Sequence, residues 1–337
     1  MYRPAMHTLY QAVAAAGAAA NAGSGEAAST QRQRLLLTGQ SGSGKSIALV
    51  GLVEWARQHG WLVLYVPSCV ALIRGGYFSR RPGPGGGVDT LTSAQQLLKG
   101  LVDSHGPQLK RLPVKAGLGE EEEEAARARA EDRVKAAREA VPDAAPEAAE
   151  AAAAETLYDV AAYGLSRDDD AAAAVEAVRS LVRQLIAASS DPAKPQRVLF
   201  ALDDYNCLYG ATDYGELAST PQLARRRVLH SDELILARSM RLLDEPNLGG
   251  AVVAAATLST PPLPAPKGHQ PRGVPYTELP LARYTEAETC NALAHYAAMG
   301  HAPALATSSQ ARQLHALTQG NARELREMAA TLGLRLK

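Results

Sequence analysis

The sequence predicts an α/β fold, in which a parallel sheet is flanked by helices and followed by a small C-terminal helical lid. Residues 34–67 have the pattern strand, glycine loop, helix, strand, which is typical of a βαβ unit. Later apolar runs have the length of buried strands, and only helical patterns follow them. The 337 residues therefore divide into a helical lead-in (1–33), an α/β domain (34–284) and the helical lid (285–337).

The first βαβ unit follows from three local signals. Four of the residues 34–38 are apolar or β-branched and the run ends at Gly39, so it predicts a short buried strand. Residues 46–58 have helical apolar spacing, and Gly60 ends that helix. The run "WLVLYVP" at 61–67 predicts a second buried strand closed by Pro67.

The middle of the chain alternates between weak and strong signals. Residues 74–88 are rich in glycine and proline and predict a loop too flexible to pack, whereas 90–102 have helical spacing. The composition changes over residues 113–155, which are rich in Ala, Glu and Arg and have no apolar stripe, so this insertion is a solvated helix or disordered, or else a functional acidic segment. Residues 171–188 recover an apolar face and should pack on the sheet.

Three more strands and three lid helices complete the prediction. The strands are expected within residues 197–205, 249–260 and 276–284. Thr285 and Glu288 have the spacing of a capping box, which predicts the start of the first lid helix. The second is expected near 308–317, and Gly320-Asn321 separates it from a third at 322–334.

Composition excludes several classes of protein. Basic and acidic residues both number 35, which argues against a surface wholly devoted to nucleic acid but leaves a local basic face open. The three cysteines lie far apart, so neither a disulfide scaffold nor a zinc site is indicated. No apolar run reaches the roughly 18 residues of a membrane span. The first 34 residues faintly resemble a transit peptide, but a helix leading into the first strand is favoured.

The stretch "LLLTGQSGSGKS" carries the most specific chemistry, because it fits the phosphate-binding pattern G-x-x-x-x-G-K-[ST]. Its glycines let backbone amides approach phosphate oxygens at a helix N-terminus. Lys45 should reach the β- and γ-phosphates, and the Ser46 hydroxyl should ligate Mg²⁺. The expected nucleotide-binding residues are Gly39, Gln40, Ser41, Gly42, Ser43, Gly44, Lys45 and Ser46, joined by Asp203.

Two aspartates end the strand predicted at 197–205. Asp203 is expected to approach the Mg²⁺ beside Ser46, because the carboxyl ends of parallel strands meet at one edge of a sheet. Asp204 is a candidate catalytic residue that would position an attacking water, and a plain turn role is equally compatible with its place at the strand end.

Other polar residues have both a functional and a structural interpretation. Thr257 and Ser259 could sense a γ-phosphate or could serve a turn, and Arg323 could reach the phosphates from the lid or be solvated. The arginines at 225–227 could meet RNA phosphates or lie on the solvated face of a helix.

Five stretches together resemble the death-associated protein three family of mitochondrial small-subunit ribosomal proteins. They are "RLLLTGQSGSGKS", "HGWLVLYVPS", "RVLFALDDYNCLYG", "GGAVVAAATLS" and "LPLARYTEAE". The resemblance implies a P-loop NTPase fold related to AAA proteins, placed in the head of the small subunit of the mitochondrial ribosome, in the matrix. It also implies GTP or GDP, rather than ATP, with Mg²⁺ and little or slow hydrolysis. Mitochondrial ribosomal proteins and small-subunit rRNA would be the partners.

Asp204 departs from this resemblance, because the residue after the metal aspartate is often not acidic in the family. Two other classes of protein remain compatible with the sequence. A free signalling or remodelling ATPase could share the core and lid, with Arg323 or the 225–227 cluster as its catalytic arginine. A small-molecule kinase could use residues 74–88 as a mobile lid.

Overall fold

A five-stranded parallel sheet forms the centre of the computed structural model. Its strands are β1 (Arg34–Thr38), β2 (Leu62–Val66), β5 (Val198–Leu202), β8 (Val252–Ala256) and β9 (Thr277–Pro280). They lie side by side in the order β2-β5-β8-β1-β9. The structure describes residues 3–21, 33–83, 86–118, 123–124, 126–127, 129–131, 155–191, 194–217, 226–257, 274–301 and 308–335. The α/β fold predicted from the sequence is confirmed, with β1 between β8 and β9.

Helices cover both faces of this sheet, which explains why its strands are near-continuous apolar runs. The helices are α1 (Pro4–Asn21), α2 (Lys45–Gln58), α3 (Leu91–Leu109), α4 (Leu157–Leu165), α5 (Ala171–Ser189), α6 (Ile235–Ser239), α7 (Glu286–Ala298), α8 (Ser308–Thr318) and α9 (Ala322–Arg335). Helices α1 and α2 bury one face, and α3 to α6 bury the other. Leu35 and Leu37 point to the first face and Leu36 to the second, as the two-residue period of a strand requires.

Two antiparallel hairpins correct the predictions for residues 74–88 and 225–227. Within the first stretch, β3 (Phe78–Arg80) pairs with β4 (Val88–Thr90), so it is not only a loop. The second hairpin joins β6 (Ala211–Leu217) to β7 (Arg226–His230), so Arg226 and Arg227 begin a strand rather than lying on a helix. The rings of Phe78 and Tyr214 meet edge to face at 5.4 Å, and this contact between the hairpins gives the first one a packing partner.

The Ala/Glu-rich insertion is described only in part. Pro113 and Thr156 form an antiparallel bridge, so the two ends of this segment lie side by side. Arg129 donates to Glu155 at 3.0 Å, with side chains only 3% and 10% exposed. The segment was expected to be solvated or disordered for want of an apolar stripe, and Arg129 departs from that expectation because its charged side chain is buried.

The two ends of the chain pack differently. Leu9 and Val13 of α1 are buried against the sheet core, and Tyr10 stacks on Trp55 of α2 at 5.5 Å. Helices α7, α8 and α9 have a small core of their own that includes Leu293 and Leu325. The predicted capping box at Thr285 and Glu288 is confirmed. Among the described residues, none of the helices combines the length and apolar character that a bilayer span requires.

Candidate functional site

The phosphate-binding loop, residues 39–46, connects β1 to α2 at the carboxyl edge of the sheet. Gly39, Gly42 and Gly44 have φ values of 138°, 78° and 95°, which side chains other than glycine rarely adopt. A Cβ at Gly39 would lie 2.5 Å from the Leu281 carbonyl oxygen, so this glycine also permits a close approach of two backbones. Since α2 begins at Lys45, its first amides face the loop.

Lys45 lies inside the curve of the loop. Its Nζ donates to the carbonyl oxygens of Gly39 at 2.8 Å and Gln40 at 3.0 Å, while the side chains of Gln40 and Ser41 are at the exposed tip. Burial lowers the pKa of Lys45, against the opposing effect of Asp203 and Asp204. The ammonium group therefore lies against backbone carbonyls of the loop, and a phosphate could replace these carbonyls.

Ser46 and Asp203 meet, as expected for a pair of magnesium ligands. The Ser46 hydroxyl is hydrogen-bonded to the Asp203 carboxylate, although β8 lies between β1, which leads into the loop, and β5, which precedes Asp203. Burial raises the pKa of Asp203, and the bond from Ser46 partly offsets this rise. The Asp204 backbone N–H also donates to Asp203 Oδ1 at 2.9 Å, which fixes the orientation of the carboxylate.

Asp204 has an unusual backbone for a residue with a side chain. Its φ of 56° and ψ of 34° lie in the left-handed region, at the start of the 3₁₀ turn Tyr205–Tyr209. Its Oδ2 accepts a hydrogen bond of 2.7 Å from the Ser68 hydroxyl, at the end of β2. Asp204 therefore makes the predicted turn, while its carboxylate stays beside Asp203 at the edge of the site.

The other candidate residues from the sequence lie in different surroundings. The Thr257 hydroxyl donates to the Leu37 carbonyl oxygen at 3.3 Å, so it ties β8 to β1. Arg323 is exposed at the start of α9, and its charge helps to lower the pKa of Lys45, which places it near the loop. Arg227 pairs with Glu216 and Glu233 at 3.4 and 2.7 Å, so an RNA phosphate would compete with two carboxylates. Ser259 and Arg225 lie outside the described residues.

Two further contacts hold the loop, and neither was predicted from the sequence. Arg3 donates from Nη1 to the Ser43 carbonyl oxygen at 2.8 Å. On the lid, the Ala322 backbone N–H donates to the Gly42 carbonyl oxygen at 3.0 Å. A Cβ at Gly42 would lie 1.9 Å from Asn321 Oδ1. The pattern Gly320-Asn321 indicates a helix break, but no local signal marks Arg3.

The residues present fit a nucleotide with Mg²⁺. The Ser43 hydroxyl is buried in the loop and has no hydrogen-bond partner among the described residues, which is costly unless a ligand satisfies it. The ammonium of Lys45 and the amides at the start of α2 supply positive potential, and Ser46 with Asp203 supplies hard oxygen ligands. In the described part of the chain, no three His, Cys, Asp or Glu side chains cluster to hold a metal by themselves, so phosphate oxygens would complete the metal site.

A model of the family described as mitochondrial ribosomal death-associated protein 3 matches residues 21–267. The match takes in β1, the phosphate-binding loop, Asp203, Asp204 and β8. Comparison with curated proteins found no match.

Proposed function

Because the chain belongs to the mitochondrial ribosomal death-associated protein 3 family, it is a mitochondrial ribosomal protein, and we propose that it binds a guanine nucleotide as a structural ligand. In this proposal, the chain is a component of the small-subunit head, in contact with small-subunit rRNA and neighbouring ribosomal proteins. The observation that carries the nucleotide proposal is the meeting of Ser46 and Asp203 beside the buried Lys45.

Each part of the loop has a role in holding GTP or GDP. The amides from Gly42 to Ser46 would bind phosphate oxygens, and Lys45 would exchange its two backbone carbonyls for phosphate oxygens. Ser46 and Asp203 would hold Mg²⁺, which supplies charge neutralisation for the phosphates when it is bound. The choice of guanine over adenine rests on the family, and identification of the nucleotide in the assembled particle tests it.

Slow hydrolysis is the expected behaviour of this site. Fast turnover in related chemistry depends on an arginine that stabilises the transition state, which contributes a factor of about 10³ to 10⁵. Arg323 is the arginine whose charge reaches Lys45, but its side chain is exposed at the surface of the lid. We expect turnover well below about one per second for the isolated chain. Fast hydrolysis that depends on Asp204 would instead favour a remodelling ATPase.

The proposal is tested by the effect of nucleotide on thermal stability. At a hundred times its dissociation constant, a ligand adds about 2.7 kcal/mol to the free energy of unfolding. Mg²⁺ with GDP should therefore raise the melting temperature of the wild type and of Lys99→Ala, which changes an exposed lysine of α3. Lys45→Ala should remain folded and show no rise. An equal rise in Lys45→Ala would place the ligand elsewhere, and no rise in any protein would refute nucleotide binding.

A further inference from the structure

We propose that Arg3 is a positioning residue that clamps the helical lid, α7 to α9, onto the phosphate-binding loop and thereby slows nucleotide release. This inference rests on the proposed function, because it concerns the departure of the same nucleotide.

The guanidinium of Arg3 joins three separate parts of the site. Besides the bond to Ser43 in the loop, Nη2 donates to the Ala282 carbonyl oxygen at 3.0 Å, in the segment that follows β9. Nε donates to Glu288 Oε1 at 2.9 Å, on the first turn of α7. The ring of Tyr284 lies below the guanidinium at 4.8 Å. Arg3 is 7% exposed, so these contacts are made away from bulk water.

The clamp is anchored in the sheet core. The backbone carbonyl of Arg3 accepts bonds from the amides of Met6 and His7, at the start of α1, and Pro4 occupies the first helical position. Further along α1, Leu9 and Val13 are buried against the sheet. The guanidinium therefore extends from a fixed point on the core, and its bond to Glu288 restrains α7 relative to that core.

The ionic partner of Arg3 also holds the start of the lid. Burial would raise the pKa of Glu288, but hydrogen bonds from Arg3 and from the backbone N–H of Thr285 outweigh that effect and lower it. One carboxylate thus closes the capping box of α7 and receives the guanidinium. Movement of α7 away from the loop must break the bond to Arg3.

Nucleotide release should depend on such a movement, because the lid also contacts the loop directly. Asn321 packs against Gly42, and the Ala322 N–H donates to the Gly42 carbonyl oxygen. The carbonyls of Gly42 and Ser43, held by the lid and by Arg3, belong to the same backbone whose amides would bind the phosphates, so opening of the lid would loosen the nucleotide site. With Arg3 and Asn321 both in place, lid opening would limit the rate of dissociation.

The experiment measures dissociation of a fluorescent methylanthraniloyl derivative of GDP, with Mg²⁺, from the full chain after addition of excess GDP. Arg3→Gln and Glu288→Gln each remove the ion pair, and Arg3→Lys keeps the charge but loses the forked geometry. Arg312→Gln is the matched control, since Arg312 pairs with Glu286 at 2.7 Å on the exposed surface of the lid. We expect dissociation to be at least about tenfold faster in Arg3→Gln and Glu288→Gln, smaller acceleration in Arg3→Lys, and no change in the control.

A second measurement follows the lid without nucleotide. The amide of Ala322 reports the contact with the loop, so its hydrogen exchange should be faster in Arg3→Gln and Glu288→Gln than in the wild type. Nucleotide binding with unchanged dissociation in both variants would overturn the clamp while leaving the proposed function intact. Failure of the wild type to bind nucleotide would overturn the proposed function itself.

Discussion

Gly42→Ala should lower the free energy of unfolding, because it disrupts the contact between the phosphate-binding loop and the lid. The φ of 78° at Gly42 costs a residue with a Cβ about 1–2 kcal/mol. The new Cβ would lie 1.9 Å from Asn321 Oδ1, which also accepts the Arg323 N–H at 3.1 Å and so caps α9. Displacing Asn321 would weaken this cap and the bond from Ala322 to Gly42, each worth about 1 kcal/mol. The expected loss is about 3–4 kcal/mol in the free energy of unfolding.

Gly60→Ala is the control, because Gly60 has nearly the same φ of 76° and no atom within 4 Å of the added Cβ. Its free energy of unfolding should fall only by the cost of the positive φ, about 1–2 kcal/mol. Urea unfolding of the two variants and the wild type measures both losses. Equal losses in Gly42→Ala and Gly60→Ala would show instead that the stability of the lid does not depend on the contact at Gly42.

Two further predictions concern buried polar groups. Burial lowers the pKa of His105, whose neutral ring accepts the Val63 N–H at 3.1 Å, so stability should be full above about pH 6.5 and should decrease as the pH falls below it. Urea unfolding between about pH 8 and 5 checks this, and an undiminished slope in His105→Gln would contradict the assignment to His105. Arg129→Ala should lower the free energy of unfolding by about 3–5 kcal/mol, because it removes the arginine that pairs with the buried Glu155. Arg127→Ala, at a side chain that is 79% exposed, should change the free energy of unfolding by less than about 0.5 kcal/mol, and similar losses would contradict a special role for Arg129.

The central sheet and the loop could be predicted because their signals are local. Residues 35–37 and 61–67 are almost entirely apolar, as strands covered on both faces must be. The pattern from Gly39 to Ser46 encodes a loop conformation within eight consecutive positions. Asp203 could be paired with Ser46 because strands of a parallel sheet end at a common edge, which the order of β1, β8 and β5 satisfies.

Contacts between distant parts of the chain could not be predicted in the same way. Arg3 bonds to Ser43 and Glu288, which are far from it in sequence, and no periodicity relates them. The hairpin of β3 and β4 could not be predicted, because glycine and proline dominate its turn. In addition, Phe78 packs against Tyr214, which belongs to another hairpin. Burial of Arg129 likewise depends on Glu155, beyond a long Ala-rich stretch.

The most direct test of guanine-nucleotide binding is to identify the nucleotide in the assembled particle. Mitochondrial small subunits that carry either the wild-type chain or Lys45→Ala would be purified, denatured and analysed by liquid chromatography with mass spectrometry. We expect wild-type subunits to release a guanine nucleotide in an amount equimolar with the chain, and Lys45→Ala subunits to lack it. Absence of a guanine nucleotide from wild-type subunits, or equal amounts from both preparations, would contradict this expectation.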